Sequence, residues 1–146
     1  MAATGDRNDP YSAFNFIVDI DGVGVVGGFS ECGGLTTETT VIEYRHGNEN
    51  DTPRKLPGQE KYTNITLKRG YTNSKELWEW RKKVIAGKTQ RASGSIQLLD
   101  EERKVALKWN FVQGWPSKWE GPALNAKNND VAIESLEIAH EGLVLE

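Results

Sequence analysis

Three glycines near the start of the chain have the spacing of a nucleotide-binding loop. Gly22, Gly24 and Gly27 follow the apolar run FNFIVDID in a G-x-G-x-x-G arrangement. In dinucleotide-binding proteins such glycines let the backbone approach a pyrophosphate, which then lies at the N-terminus of the following helix. Here the next residues are GFSECGGLTTETTVIEY, whose glycines and β-branched run oppose a helix. The sequence therefore predicts a glycine-rich turn or bulged hairpin, with no bound cofactor.

Other side chains able to do chemistry are few and widely spaced. Cys32, His46 and His140 form a weak set of metal ligands because they lie in distant parts of the sequence. Asp19 and Asp21 share one face of a predicted strand, where solvated carboxylates are the usual finding. We therefore expect no catalytic residue and no metal. An enzyme that uses Cys32, or Asp19 with Asp21, is kept as a rival interpretation.

Tryptophan is frequent, with five residues in the chain, and indole rings can stack on sugars or bases. Three lie on amphipathic elements, where burial is the default: Trp78, Trp80 and Trp109. Trp115 and Trp119 flank Pro116 in a segment that reads as a loop. The alternative function is therefore a monomeric β-barrel that binds a small ligand or sugar through those two side chains.

Composition limits the class of protein. A chain of 146 residues with one cysteine suits a single domain, 1–146, without a disulfide and in a reducing compartment. The net charge of −3, with both signs interspersed, argues against specific nucleic-acid recognition. No apolar run approaches the ~18 residues of a membrane span, and the polar N-terminus lacks the apolar core of a secretory signal.

Alternating and β-branched runs predict strands along most of the chain. Phe14, Phe16, Val18 and Ile20 alternate with polar residues. Further strands are predicted at 36–44, 61–70 and 93–99, the last forming a hairpin through DEER with KVALKWNFV. The final strand is predicted at 131–143. Its apolar phase slips between Ile133 and Leu136, which predicts a bulge or burial on both faces.

One helix is predicted, over residues 74–86. Asn73 is a favourable N-cap, with Glu76 three residues later, and Gly87 is a natural stop. The apolar stripe consists of Leu77, Trp80 and Val84, widened by Trp78 and Ile85. The fold class is therefore mainly β, an antiparallel β-barrel or sandwich with one flanking α-helix. Two long loops are predicted within it, at 45–60 and 113–130.

Several stretches taken in order resemble a known family. They are DPYSAFNFIVDIDG, FSECGGL, KLPGQEKYTNITLKRG, LWEWRKK and WPSKWEGPALNAKNNDVAIESLEIAHEGL, and together they cover nearly the whole chain. In this combination the sequence resembles the tail-tube proteins of contractile phages and their relatives in extracellular contractile injection systems. The type VI secretion tube proteins are a more distant analogy.

The resemblance implies a structural protein without an active site. Its subunits are expected to form hexameric rings that stack into a hollow tube inside a contractile sheath. Baseplate and spike proteins are the other expected partners, and a protein effector or DNA is the expected cargo in the lumen. Assembly is expected in the bacterial cytoplasm. Phage tail and injection system both stay open, as do main tube subunit and baseplate-proximal paralogue.

The resemblance also suggests a role for the first predicted loop. In the tube family an extended loop in this region reaches to the adjoining ring. We therefore expect the loop at 45–60, with both charge signs close together, to form the interface between rings. Its candidate residues are Arg45, His46, Glu49, Asp51, Arg54, Lys55, Leu56 and Glu60.

Overall fold

The structure is a computed structural model that describes residues 15–25, 29–45, 47, 52–71, 74–127 and 131–146. Among these residues the strands before the helix are β1 (Phe16–Ile20), β2 (Gly24–Val25), β3 (Phe29–Gly33), β4 (Thr37–Tyr44), β5 (Arg54–Tyr62) and β6 (Ile65–Gly70). The helix is α1 (Glu76–Ile85), and the later strands are β7 (Ala92–Leu99), β8 (Val105–Glu120), β9 (Ile133–Ala139) and β10 (Gly142–Leu145). The predicted class, mainly β with antiparallel strands and one flanking helix, is confirmed.

The long strand β8 joins the two layers of the fold. Its first half pairs with β7 and β10, whereas its second half pairs with β9. One layer therefore runs β2-β1-β7-β8-β10 and the other runs β8-β9-β6-β3, while β4 and β5 form a separate two-stranded hairpin. In the described chain β1 lies near β3, but no ladder joins them, so the fold is an open sandwich.

Side chains from both layers and from the helix form one core. Its fully buried members are Val18, Ile20, Ile65, Leu67, Leu77, Phe111, Leu136 and Ile138. They follow the period-two pattern in β1, β6 and β9, because alternate side chains of a strand point to the same face. The predicted alternation from Val18 to Ile20 is therefore confirmed, while Phe14 lies outside the described residues.

The glycine-rich segment forms a turn, as predicted. Gly22 and Gly24 have φ angles of 82° and 94°, and residues other than glycine rarely adopt this left-handed backbone conformation. They connect β1 to β2, with Ile20 opposite Gly24. The next described element after β2 is strand β3 and not a helix. Gly27 lies outside the described residues.

The helix is shorter than predicted. It begins at Glu76, with Lys75 at the N-cap position and no side-chain cap, and Asn73 lies outside the described residues. Leu77 and Trp80 are buried, as expected. The prediction that Trp78 and Ile85 widen the buried stripe was wrong, because these side chains are 36% and 62% exposed. Ten helical residues can direct only a narrow face at a sandwich of this size.

Both predicted loops contain strand and were wrong in part. Residues 54–60 belong to β5, and residues 113–120 belong to β8. Pro57 is accommodated next to a register shift, where the ladder is already irregular. Pro116 likewise lies at a shift between Pro116 and Lys118. Neither segment shows the apolar alternation of a half-buried strand, which is why both read as loops.

The last predicted strand is two strands, β9 and β10, separated at His140. The expected bulge in it was wrong, because β9 pairs with β6 in continuous register from Ile133 to Ile138, and the shift in its ladder with β8 lies in β8. The alternative, burial on both faces, was also wrong, because only alternate residues of β9 are buried. The phase slip has another cause. Glu134 takes a core-facing position in β9 and is 2% exposed, so a charged residue stands where an apolar one was expected.

Glu134 is the centre of a buried polar network. It forms an ion pair with Arg69 Nε of β6 and accepts a hydrogen bond from Trp119 Nε1 at 3.1 Å. Arg69 also donates to the backbone oxygen of Ser74 and to Glu76, each at 3.3 Å. The pKa of the Glu76 carboxyl is lowered, chiefly by a hydrogen bond from its own backbone N–H and to a smaller extent by the Arg69 side chain. The network therefore ties β6, β8 and β9 to the start of the helix.

Phe111 of β8 is held between two glycines. A Cβ atom built on Gly94 would lie 2.6 Å from the ring, and one built on Gly114 would lie 2.5 Å from it. Such distances are far shorter than van der Waals contact. The ring itself is 1% exposed, so it cannot move aside into solvent. Both positions therefore require glycine while Phe111 is present.

Replacing Gly114 with alanine is expected to lower the free energy of unfolding by about 1–3 kcal/mol, the usual cost of overpacking a core. Urea unfolding of the purified subunit measures it. Gly33→Ala is the matched control, because a Cβ there meets nothing within 4 Å. Equal midpoints for the two variants would mean that Phe111 is not confined as described.

Candidate functional site

The β4–β5 hairpin is the most exposed element of the described chain. Ile42 lies opposite Leu56 and Val41 lies opposite Pro57. Val41, Ile42 and Leu56 are 56%, 50% and 47% exposed. Apart from Tyr62 at the end of β5, which packs against the core, the two strands pack mainly on each other. A two-stranded hairpin is marginally stable in water, so this element is suited to being covered by a partner.

The structure places the predicted interface residues along this hairpin. Arg54, Lys55 and Leu56 are exposed at the start of β5, and Arg45 is exposed just beyond the end of β4. Glu60 lies nearer the base, where it accepts hydrogen bonds from Thr39 Oγ1 at 2.8 and 3.0 Å. The other three candidates lie outside the described residues: His46, Glu49 and Asp51. The five described candidates therefore belong to one hairpin, but Glu60 is engaged within it.

Sequence reasoning missed the apolar part of this surface. Val41, Ile42 and Tyr44 were assigned to a strand and not to the candidate interface, yet each is about half exposed. The signal was the run VIEY followed by a charged segment, which lacks the alternation of a strand with one buried face. Such a run at the end of a strand, with no alternation, marks a ribbon exposed on both sides.

A second feature is an open apolar cavity of about 350 Å³ between β1 and β3. Its lining comes from both layers and consists of Phe16, Ser30, Glu31, Cys32, Leu35, Ile96, Leu98 and Trp109. It lies where the sandwich is open, because β1 and β3 are not joined by a ladder. An apolar groove next to unpaired strand edges is typical of a docking site for another chain.

Cys32 lines this cavity from β3, where it lies opposite Leu67. Burial raises the pKa of its thiol to about 11. A thiol that keeps its proton at neutral pH is a poor nucleophile, so the geometry does not support the rival enzyme based on Cys32. His140 is engaged elsewhere, with its ring nitrogens 3.0 Å from the Thr63 oxygen and 3.1 Å from the Gly142 oxygen.

Asp19 and Asp21 line a shallow polar cleft of about 220 Å³ on the outer face of the first layer. Asp19 lies opposite Ser95, and Lys108 and Asn110 border the same cleft. This is the solvated strand face that the sequence indicated. Within the described residues no group of three or more histidine, cysteine or carboxylate side chains is placed to hold a metal ion.

The glycine turn borders a cavity of about 310 Å³ beside the start of α1. Gly22, Glu76 and Glu79 are among its lining residues. Two carboxylates in the first turn of the helix oppose a phosphate there by charge repulsion.

No helix in the described part of the chain is long and apolar enough to cross a membrane.

Trp115 and Trp119 do not pin a loop, because both lie in β8. Trp119 packs on Trp78 with ring centroids 4.9 Å apart, and it donates to the buried Glu134. A ring engaged in this way offers little free face for stacking on a sugar. The geometry therefore favours a structural role for Trp119 over the ligand-binding alternative.

Comparison with known proteins agrees with the geometry. The family model described as T4-like virus tail tube protein gp19 matches residues 12–144. Comparison with curated protein sequences gives no match. A chain in the sheath-tube complex of the extracellular contractile injection system PVC, in its extended state, is 26% identical; the match covers 95% of this chain and 93% of that one, with a TM-score of 0.86.

Two other solved structures extend the comparison. A chain in the anti-feeding prophage (AFP) tube terminating cap is 28% identical over 100% of this chain and 99% of that one, with a TM-score of 0.85. Hcp1 from Flavobacterium johnsoniae is 14% identical over 90% of this chain and 94% of that one, with a TM-score of 0.57, and shows similarity of fold alone. The chain therefore belongs to the family of the T4-like virus tail tube protein gp19, a family of structural tail tube proteins.

Proposed function

We propose that this protein is the inner tube subunit of a contractile injection machine or phage tail. Six copies form a ring, the rings stack into a rigid tube, and the lumen carries a protein effector or DNA. A contractile sheath surrounds the tube, and baseplate and spike proteins terminate it. Assembly takes place in the bacterial cytoplasm.

The observation that carries this proposal is the β4–β5 hairpin, whose side chains Val41, Ile42 and Leu56 are about half exposed in the described part of the chain. The relatives support it: one comes from a sheath-tube complex and another from a tube terminating cap, and each aligns along nearly its whole length. Among the described strands β3 and β10 each pair on one side alone, and such edges suit subunits that associate side by side in a ring.

We further propose that the hairpin makes the contact between stacked rings. Arg45, Arg54 and Lys55 would set the register between rings more than they supply affinity, since exposed ion pairs contribute only ~0–1 kcal/mol each. His46, Glu49 and Asp51 belong to the same proposed contact by their place in the sequence.

Shortening the hairpin tests this function. Residues 40–59 are replaced with Asn-Gly, which joins Thr39 to Glu60, two residues already paired across the hairpin. We expect a folded subunit that forms rings but no long tubes, measured by electron microscopy. The control, Arg45→Ala with Arg54→Ala and Lys55→Ala, keeps both strands and is expected to form tubes that are more sensitive to salt. Tubes of normal length from the shortened variant would place ring stacking elsewhere.

A further inference from the structure

The core-facing sides of β6 and β9 carry the same order of side chains, two apolar residues followed by one charged residue. The six buried residues are Ile65, Leu67 and Arg69 of β6 and Ile138, Leu136 and Glu134 of β9. The strands run antiparallel and each residue lies directly opposite its counterpart, so Arg69 faces Glu134. The charged pair therefore lies at one end of an otherwise apolar ladder.

The apolar residues alone do not fix the alignment of β9 with β6. Because side chains alternate between the two faces of a strand, a shift by two residues keeps every side chain on its own face. A shift in one direction would put Ile138 opposite Leu67. A shift in the other direction would put Leu136 opposite Ile65. Both alignments pair apolar residues again and lose backbone hydrogen bonds only at the strand ends.

The neighbouring strand β8 would permit such a shift. Ala139 of β9 lies opposite Trp115 of β8. Gly142 of β10 lies opposite Val112 at the same offset, so β9 and β10 can move along β8 together. The ladder between β8 and β9 is also already irregular, since β8 contains an extra residue within it. A shift by two residues would move β9 by about 7 Å.

The charged pair distinguishes these alignments. In the first shifted alignment Arg69 would face Leu136, and in the second Glu134 would face Leu67. In each case a buried charge loses the opposite charge that lies directly across from it. Separating the partners of a buried ion pair is strongly destabilising, whereas apolar residues exchange neighbours at little cost.

Both charges are also held by parts of the fold that would not move with β9. Trp119 Nε1 of β8 donates to Glu134 at 3.1 Å. Arg69 donates to the backbone oxygen of Ser74 and to Glu76, each at 3.3 Å, at the start of α1. A shift of β9 would therefore take Glu134 away from two donors at once, while Arg69 stays in place.

We propose that the Arg69–Glu134 ion pair, with Trp119 as a second donor, is a register lock that selects one alignment of β9 from those that the apolar pattern allows. Inward-pointing charges oppose slipped strand pairings in this way. The lock acts within one subunit and does not depend on the proposed function. It gives every copy the same position of β9 and β10, which identical subunits need in order to repeat one contact.

Pairs of cysteines on the outer faces of β6 and β9 report the alignment, in a Cys32→Ser background. Lys68→Cys with Ser135→Cys is the native reporter, because these positions are directly opposite. Two shifted reporters become opposite only after a shift by two residues. They are Lys68→Cys with Glu137→Cys, and Thr66→Cys with Ser135→Cys. In the present alignment both are diagonal pairs, about 7–8 Å apart, which is too far for a disulfide.

The rate of disulfide closure is the measurement. Copper phenanthroline accepts two electrons from the two thiols, two protons go to solvent, and one S–S bond forms. Maleimide labelling of the remaining thiols follows the reaction. Each reporter is measured with the ion pair present and with Arg69→Met and Glu134→Leu, so that effects of the cysteines themselves cancel.

With the ion pair present we expect the native reporter to close fastest. In the apolar double variant we expect the shifted reporters to close faster by on the order of tenfold or more, because no buried charge then opposes the shift. The midpoint of urea unfolding is expected to change little. Gly114→Ala is the control, since it lowers stability without touching the pair, and we expect it to leave the shifted reporters slow.

Two results would overturn the register lock. Unchanged rates for both shifted reporters in a folded double variant would mean that apolar packing and the backbone ladders set the alignment. An equal acceleration in Gly114→Ala would mean that closure follows general loosening of the fold. If the apolar double variant does not fold, Arg69→Gln with Glu134→Gln removes the charges but keeps mutual hydrogen bonding, and the same two results decide.

Discussion

Replacing Glu134 with alanine is expected to lower the free energy of unfolding by about 3–5 kcal/mol, the usual cost of removing one partner of a buried ion pair. Glu134 is 2% exposed and Arg69 is 6% exposed. Without the carboxylate, the guanidinium stays buried with its weaker contacts to Ser74, to Glu76 and to the ring of Phe29. Trp119 Nε1 also loses its acceptor. Urea unfolding of the isolated subunit measures the loss.

Two variants separate the charge from the packing. Arg69→Met with Glu134→Leu removes both charges and is expected to recover most of the stability, because apolar replacement of a buried pair is often neutral. Glu120→Ala removes an exposed carboxylate and is expected to change stability by no more than about 0.5 kcal/mol. If Glu134→Ala unfolds at the same urea concentration as Glu120→Ala, the buried pair does not support the fold.

Trp80→Ala is expected to cost about 3–5 kcal/mol, since it removes a large side chain from the core. The indole is 2% exposed, and its Nε1 donates to the backbone oxygen of Gln90 at 2.9 Å. It is the main anchor of α1 on the sandwich, together with Leu77. For a chain of this size a loss of that order lowers the melting temperature by roughly ten degrees or more.

Trp78→Ala is the control, two residues away on the same helix, where the side chain is 36% exposed and packs on Trp119. We expect it to cost much less than Trp80→Ala, because its ring keeps part of its surface in water. Trp80→Phe keeps most of the buried area and is expected to lose only the hydrogen bond, about 0.5–1.5 kcal/mol. Scanning calorimetry distinguishes the three. A Trp80→Ala subunit that melts within a degree or two of the parent would show that the helix is held by other contacts.

Much of the fold could be predicted from the sequence, where a single chain buries one face of each element. Val18 and Ile20 alternate with polar residues because β1 has one side in the core, and Leu77 and Trp80 mark the buried side of α1. The glycine turn was also predictable, since a glycine-rich run followed by β-branched residues excludes a helix. These signals are local and do not depend on partners.

The failures have a common physical origin. The strand at 54–60 has no buried face in the single chain, so its sequence shows no period of two and read as a loop. Glu134 disturbed the pattern of β9 because its partner, Arg69, is distant in sequence. A pairing of that kind cannot be read from spacing along the chain.

The candidate site was predicted in part. Its location followed from the charged segment after residue 44, and Arg54, Lys55 and Leu56 do lie on the exposed hairpin. Val41 and Ile42 were missed, because the run VIEY was interpreted as an ordinary strand although it lacks the alternation of a strand with one buried face. The single-domain prediction for residues 1–146 and the interface role of the hairpin stay predictions.

The position of β9 and β10 in the chain sets the order of events during synthesis. β8 and β6 are both made before β9, yet β9 lies between them and provides the pairing that joins them. The buried carboxylate that pairs with Arg69 also arrives only with Glu134, since the other partner of Arg69, Glu76, is partly exposed. Until β9 is made, no ladder in the described part of the chain connects β6 with β8. A chain that stops short of β9 therefore lacks the completed sandwich that a growing assembly would recognise.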